Sequence, residues 1–263
     1  MSSPPSPAAP DDHDHGRPPE ARVPEAAGPV EAPAPYKVAR RWPIVSGAVA
    51  LLVVGLLALV LVTRGQGSLP FAFDEEWMEE VLENRNTFWE APSLFMNYLG
   101  GGFVAVFVIP LLVIGLLLLF RRPWAALYFL ASIVASAAVV QILKSAVGRA
   151  RPEEMLVVSD FGSFPSGHAA NAATLSVALG IVFVRVWIWV AGSVYTVLMM
   201  ASRTYLGAHW LSDTIGGLLL GAGVAVLLWA PFAARLYRER GLPHPPVWKP
   251  RPDRALESGP RAR

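Results

Sequence analysis

Cysteine is absent from the 263 residues, which excludes disulfides and thiolate-held metal centres. Histidine is scarce, with five in all, and none stands in the HExxH spacing of a helical zinc site. Charge is thin: charged residues make up 16% of the chain, against about 25% in ordinary soluble domains. The formal net charge of +2 gives a nucleic-acid partner no electrostatic basis. What fills the space is apolar, at 54% of residues, and it comes in long runs.

Residues 1–40 are rich in Pro, Ala, Asp and Glu and read as a disordered tail. The DDHDH stretch around His13 and His15 is read as solvated acidic sequence. The first apolar run begins after residue 42, too late for an ordinary cleaved signal, and is expected to be a retained helix. Six runs of roughly bilayer-spanning length follow. They cover about 43–63, 102–120, 124–147, 168–184, 187–202 and 210–232. Between the first two, Asp74, Glu75, Glu76, Glu79, Glu80 and Glu83 alternate with Trp77, Met78, Val81 and Leu82. That pattern predicts a helix with one acidic and one apolar face, either packed on the bundle or lying over a lipid access. The expected fold is all-α: a six-span membrane domain over 41–235 with one extracytoplasmic amphipathic helix. A basic, Pro-rich disordered tail takes up 236–263. Lys37, Arg40, Arg41, Arg121, Arg122, Arg185 and the C-terminal arginines would share one side of the membrane. The positive-inside rule makes that side cytoplasmic, with both termini on it.

Three polar clusters interrupt the apolar runs, and all three fall on the expected outer side. Lys144 and Arg151 are seven residues apart, so a continuous helix would put them on one face, ending at Pro152. Arg149 would point elsewhere, toward headgroups or solvent. Pro165-Ser166-Gly167-His168 directly precedes an apolar run. A helix N-terminus there offers free N–H groups to phosphate oxygens, with Gly167 permitting close approach and Ser166 able to cap. Arg203 is followed by His209 and Asp213, four apart at a helix start. An aspartate accepting from Nδ1–H would leave Nε2 as a nucleophile. Each cluster alone has a bland reading: a snorkelling lysine, a helix start, a His–Asp pair joining two helices. Together they supply cations, a nucleophile and an acid, which is the inventory for phosphoryl transfer.

The clusters read KxxxxxxRP, PSGH and SRxxxxxHxxxD, without a substitution or a change of spacing. In this the chain resembles the type 2 phosphatidic acid phosphatase superfamily over about residues 41–235. The resemblance implies that His209, supported by Asp213, attacks phosphorus to form a phosphohistidine. It implies that His168 protonates the leaving oxygen, that Lys144, Arg151, Ser166, Gly167 and Arg203 bind the phosphate, and that no metal or other cofactor is required. The implied substrate is a lipid phosphate monoester or diphosphate in the cell membrane: a polyprenyl diphosphate such as undecaprenyl diphosphate, phosphatidic acid or phosphatidylglycerol phosphate. A lipid phosphotransferase remains an alternative, as does a catalytically silent lipid-binding or transport protein, although binding alone needs no nucleophile. The oligomeric state is not legible.

Overall fold

The computed structural model describes residues 41–65, 69–159 and 161–249. The tails expected over 1–40 and beyond residue 249 lie outside the described residues. Within them the chain is helical and has no strand. The helices are α1 (Arg41–Thr63), α2 (Ala72–Glu83), α3 (Thr87–Gly100), α4 (Ile109–Leu119), α5 (Pro123–Val147), α6 (Gly167–Phe183), α7 (Val186–Tyr205) and α8 (Leu211–Arg240). A π-helical stretch, Val104–Val108, leads into α4.

By length and hydropathy α1, α5, α7 and α8 can each cross a membrane. The chain of α3, the π stretch and α4 would be a fifth span if taken whole, bent by 48° at its break. α6 is apolar but has only 17 residues. The outer faces of α1, α4 and α7 carry exposed Leu56, Leu111, Leu112 and Val197, as lipid-facing surfaces do. These helices make the chain a multi-pass membrane protein.

Three expectations shift. The amphipathic stretch over 71–90 is two helices, broken at Asn84–Asn86, where Asn86 caps α3 by accepting from the Phe88 and Trp89 N–H groups. The last helix runs through Pro231 and on past Phe232 to Arg240, so the boundary expected at 235 falls inside it. α5 ends at Val147, with Gly148 left-handed at φ 57°. Glycine adopts that conformation at little cost, and the helix stops there, four residues before Pro152. Arg151 therefore lies in the following loop, not on a helical face shared with Lys144.

Lipid tails are as apolar as leucine, so membrane helices associate through close packing of small residues. α6 lies between α8, α7 and α5, and α1 rests on α8. A Cβ at Gly217 would sit 2.5 Å from the Ser166 carbonyl oxygen, and one at Gly221 would strike the Ala170 carbonyl. Backbone thus meets backbone where α8 crosses α6. Gly47 and Gly223 let α1 approach α8 in the same way. Buried polar groups are matched between helices: Tyr128 donates to the Ala225 carbonyl (2.8 Å) and Thr174 to Ser136 (2.9 Å). At the start of α5, Glu239 accepts from the Trp124 and Ala125 N–H groups (3.1 and 2.9 Å), answering donors that the helix itself leaves open.

Candidate active site

Four helix ends meet at one place. α5 brings Lys144 in its last turn; α6 starts with Ser166, Gly167 and His168; α7 ends with Arg203; α8 begins just after His209 and holds Asp213 in its first turn. Ser166 caps α6 by accepting from the Ala169 N–H. Its own N–H donates to the Asp213 carbonyl (3.0 Å), which ties α6 to α8. Lys144, Arg203, His209 and Asp213 are all buried.

The loop residues complete the arrangement. Arg151 donates through Nη2 to the Gly162 carbonyl (2.8 Å) and through Nη1 to that of Ala208, placing Nη1 3.3 Å from His209 Nε2. Arg203 donates to the Asn97 side chain, and His168 Nε2 lies 3.3 Å from the Asn97 carbonyl oxygen. Thus α3, which contributes to none of the three clusters, touches two site residues. The charges of Arg203 and Lys144 reach both histidines. Burial holds His209 well below the ordinary histidine pKa, as do the Arg203, Arg151 and Lys144 charges; a hydrogen bond to the Ser163 carbonyl pulls the other way. The imidazole is therefore neutral at neutral pH.

The expected His–Asp hydrogen bond is not formed. His209 Nδ1 stands 2.8 Å from the Ser163 carbonyl oxygen and 3.7 Å from Asp213 Oδ2. A neutral imidazole donates Nδ1–H to that carbonyl, which leaves the Nε2 lone pair facing Arg151 Nη1, 3.3 Å away. Asp213 accepts instead from the Trp210 N–H (2.9 Å) and from Arg149 Nη1 (2.6 Å).

Arg149 was expected at headgroups or in solvent; it is 1% exposed. Its Nη1 also reaches Ser212 Oγ (2.7 Å), and its Nη2 reaches Asp74 Oδ2 (2.7 Å). Phe71 and Trp210 present ring faces to the guanidinium. Asp74, grouped by sequence with the acidic face of its helix, is fully buried and accepts from the Ser212 N–H and Oγ (2.7 Å each). The spacing held the signal. Asp74 is four residues before Met78, the other buried residue of α2, so it belongs to the apolar stripe.

Beside His168 a cavity of about 210 Å³ opens between α5, α6 and the α3–α4 break, lined by Gly100–Gly102, Gln141, Gly167 and Asn171. The glycines are needed there: a Cβ on Gly101 would strike His168 Nε2. Among the described residues no cluster of His, Asp or Glu is placed to hold a metal ion.

Known proteins resemble this chain in sequence and in fold. A model of the PAP2 superfamily matches residues 125–237, which include nearly all of α5, α6, α7, most of α8 and every residue of the three clusters. Phosphatidylglycerophosphatase B of Bacillus subtilis (strain 168) is 31% identical over 159 residues, 56% of this chain and 71% of its own length. An undecaprenyl-diphosphatase of Sulfolobus acidocaldarius is 42% identical over 65 residues, 25% of this chain and 31% of its own. A lipid A 1-phosphatase of Rhizobium johnstonii is 32% identical over 121 residues, 42% of this chain and 49% of its own. The crystal structure of a transmembrane PAP2-type phosphatidylglycerolphosphate phosphatase from Bacillus subtilis superposes with a TM-score of 0.56 at 25% identity, covering 72% of this chain and 96% of that one. Aquifex aeolicus LpxE superposes at 0.54 and 26% identity, covering 60% and 95%.

Proposed function

Because the chain belongs to the PAP2 superfamily, we propose that it hydrolyses a lipid phosphate monoester or diphosphate through a phosphohistidine on His209. It is a membrane phosphatase of the PAP2 type. The observation that carries the reaction path is the setting of His209: Nδ1 faces a carbonyl oxygen, while Nε2 faces Arg151.

The lone pair of Nε2 attacks phosphorus, and the bond from phosphorus to the lipid oxygen breaks. His168 gives its proton to that oxygen. Arg151, Arg203 and Lys144 hold the phosphoryl oxygens, with the N–H groups that open α6. They supply the charge that a metal would otherwise bring, so metal independence belongs to the proposal. Asp213, 3.7 Å from Nδ1, favours the cationic phosphoimidazole. Water then attacks phosphorus and passes a proton to His168, releasing phosphate and restoring both histidines. The narrow cavity beside His168 receives the first carbons of the leaving lipid. The relatives named above differ in their lipid, and undecaprenyl diphosphate stands with phosphatidylglycerol phosphate and phosphatidic acid as a candidate substrate.

Phosphate release by the purified protein from these lipids, with and without EDTA, tests the class. A phosphoryl group recovered on another acceptor instead of as free phosphate identifies a transferase. The two histidines separate by leaving group. His168→Ala is expected to lose about 10²–10⁴-fold on an alkyl phosphate, the usual worth of general acid catalysis, and much less on p-nitrophenyl phosphate. His209→Ala is expected to be inactive on both. The reverse pattern exchanges the roles.

Six spans, α6 and the α3–α4 pair included, with the site outside the cytoplasm, complete the proposal. Arg121 and Lys144 bracket α5, about 34 Å apart at ~1.5 Å per residue, so they lie at opposite membrane faces. Val158 is fully exposed in the loop before α6, and Trp248 is exposed after α8. In intact cells Val158→Cys should react with an impermeant thiol reagent and Trp248→Cys should not; the opposite labelling inverts the orientation.

A further inference from the structure

We infer that the end of the bundle opposite the phosphate site holds a second lipid site, which takes an anionic phospholipid. A cavity of about 440 Å³ lies there between α4, α6 and the segment after α8, lined by Leu116, Leu117, Phe120, Leu179 and Phe183, with Arg122 and His244. The walls are apolar and the two polar residues are basic. Arg122 is 7% exposed. It donates through Nη2 to the Val182 carbonyl (3.1 Å) and lies over the Phe183 ring, 5.2 Å from its centroid. Among the described residues no carboxylate is within salt-bridge distance of it, although the charge of Glu239 reaches it, and its Nε has no hydrogen-bond partner. His244 interacts with the Glu239 backbone, but neither of its ring nitrogens makes a well-aligned hydrogen bond, although both are shielded from solvent.

Such groups are costly to bury unanswered. The chain nevertheless carries His244 to this place by a specific route. Arg121 donates to the Val247 and Lys249 carbonyls (2.9 and 3.1 Å), and the Val247 N–H donates to the Leu119 carbonyl (3.0 Å). The segment expected to trail away in solvent is instead fastened over the end of α4. An acceptor with negative charge, placed between Arg122 and His244, would satisfy both, and an acyl chain would fill the groove below. A phospholipid with a net negative headgroup brings the two together. A free phosphate ion would leave the apolar wall uncovered, and a zwitterionic lipid brings an ammonium group toward Arg122.

Native mass spectrometry of the full chain in detergent tests this, with phosphatidylglycerol titrated against phosphatidylcholine of the same acyl chains. The phosphate site can hold the same lipid, so the readout is the difference between wild type and variant. Wild type should retain one more phosphatidylglycerol than Arg122→Gln, with binding at this site weakened about tenfold to a hundredfold, as for loss of a charge-assisted hydrogen bond. His244→Ala, in the segment after α8, should weaken it in the same direction. Leu116→Trp, which fills the groove from an exposed position, should expel the lipid with both basic residues intact. Glycerol 3-phosphate should not compete. Equal retention of phosphatidylcholine, competition by glycerol 3-phosphate, or unchanged binding in all three variants would overturn the inference.

Discussion

Two buried arginines, Arg149 and Arg122, sit at opposite ends of the bundle and are treated in opposite ways. Both leave Nε without a partner. At the phosphate end, the terminal nitrogens of Arg149 meet Asp74, Ser212 and Asp213. At the other end, Arg122 meets one carbonyl and one ring face. A cation taken out of water loses several kcal/mol of hydration. Arg149 recovers this inside the protein and becomes a strut. Arg122 feels the Glu239 carboxylate only at a distance and makes no salt bridge, which leaves its guanidinium open to something outside the chain. Burial alone therefore does not distinguish a scaffold arginine from a binding one; the partners do.

The comparison breaks most clearly at Arg149. Arg149→Leu leaves two carboxylates facing each other without a cation, and removing one member of a buried ion pair costs about 3–5 kcal/mol. Thermal unfolding in detergent should show a large loss. Any folded fraction should turn over about a hundredfold more slowly, as displaced catalytic groups do, because Asp213 and the His209 loop lose their hold. If Arg149→Leu matched wild type in both, Arg149 would not be a strut. A smaller effect sharpens the pairing. Asp74→Asn and Arg149→Gln, alone and together, should show a coupling of about 0.5–3 kcal/mol, in stability and in activity alike, since Asp74 ties α2 both to Arg149 and to Ser212 at the start of α8. Additive effects would detach α2 from the site. The smallest effect is expected at the other end. Arg122→Gln should cost about 1 kcal/mol, the usual worth of one hydrogen bond, and leave single-turnover rates on p-nitrophenyl phosphate unchanged. A loss equal to that of Arg149→Leu would erase the distinction.

What the sequence made legible follows the same physics. Helix interiors were legible because apolar runs are long and need no partner to be recognised. Within about two residues, α1, α5 and α6 begin and end where the runs do. The three clusters were legible because their spacing is local, with no step between neighbouring members longer than seven residues. Arg149 was not, because it stands between Gly148 and Pro152, where no helical phase assigns it a face. Its partners Asp74 and Asp213 are 75 and 64 positions away. The acceptor for His209 was out of reach for another reason: Ser163 offers its backbone carbonyl, and a carbonyl leaves no mark in a sequence. Asn97 escaped because it belongs to none of the clusters and stands 71 and 106 positions from His168 and Arg203.

The glycine contact between α6 and α8 has a consequence for the timing of the reaction. His168 rides on the first turn of α6, and His209 sits two residues before α8. Where these helices cross, Gly217 and Gly221 bring backbone against backbone, with only the short side chains of Ala169 and Thr174 beside them. The interval between the two imidazoles is thus fixed by two helix axes. In the proposed cycle, one ring gains and loses a phosphoryl group while the other gives and takes a proton, and neither change has a hinge through which to widen or narrow that interval. The adjustment falls to the substrate: it is phosphorus that travels from the lipid oxygen to Nε2 and on to water, between two fixed posts.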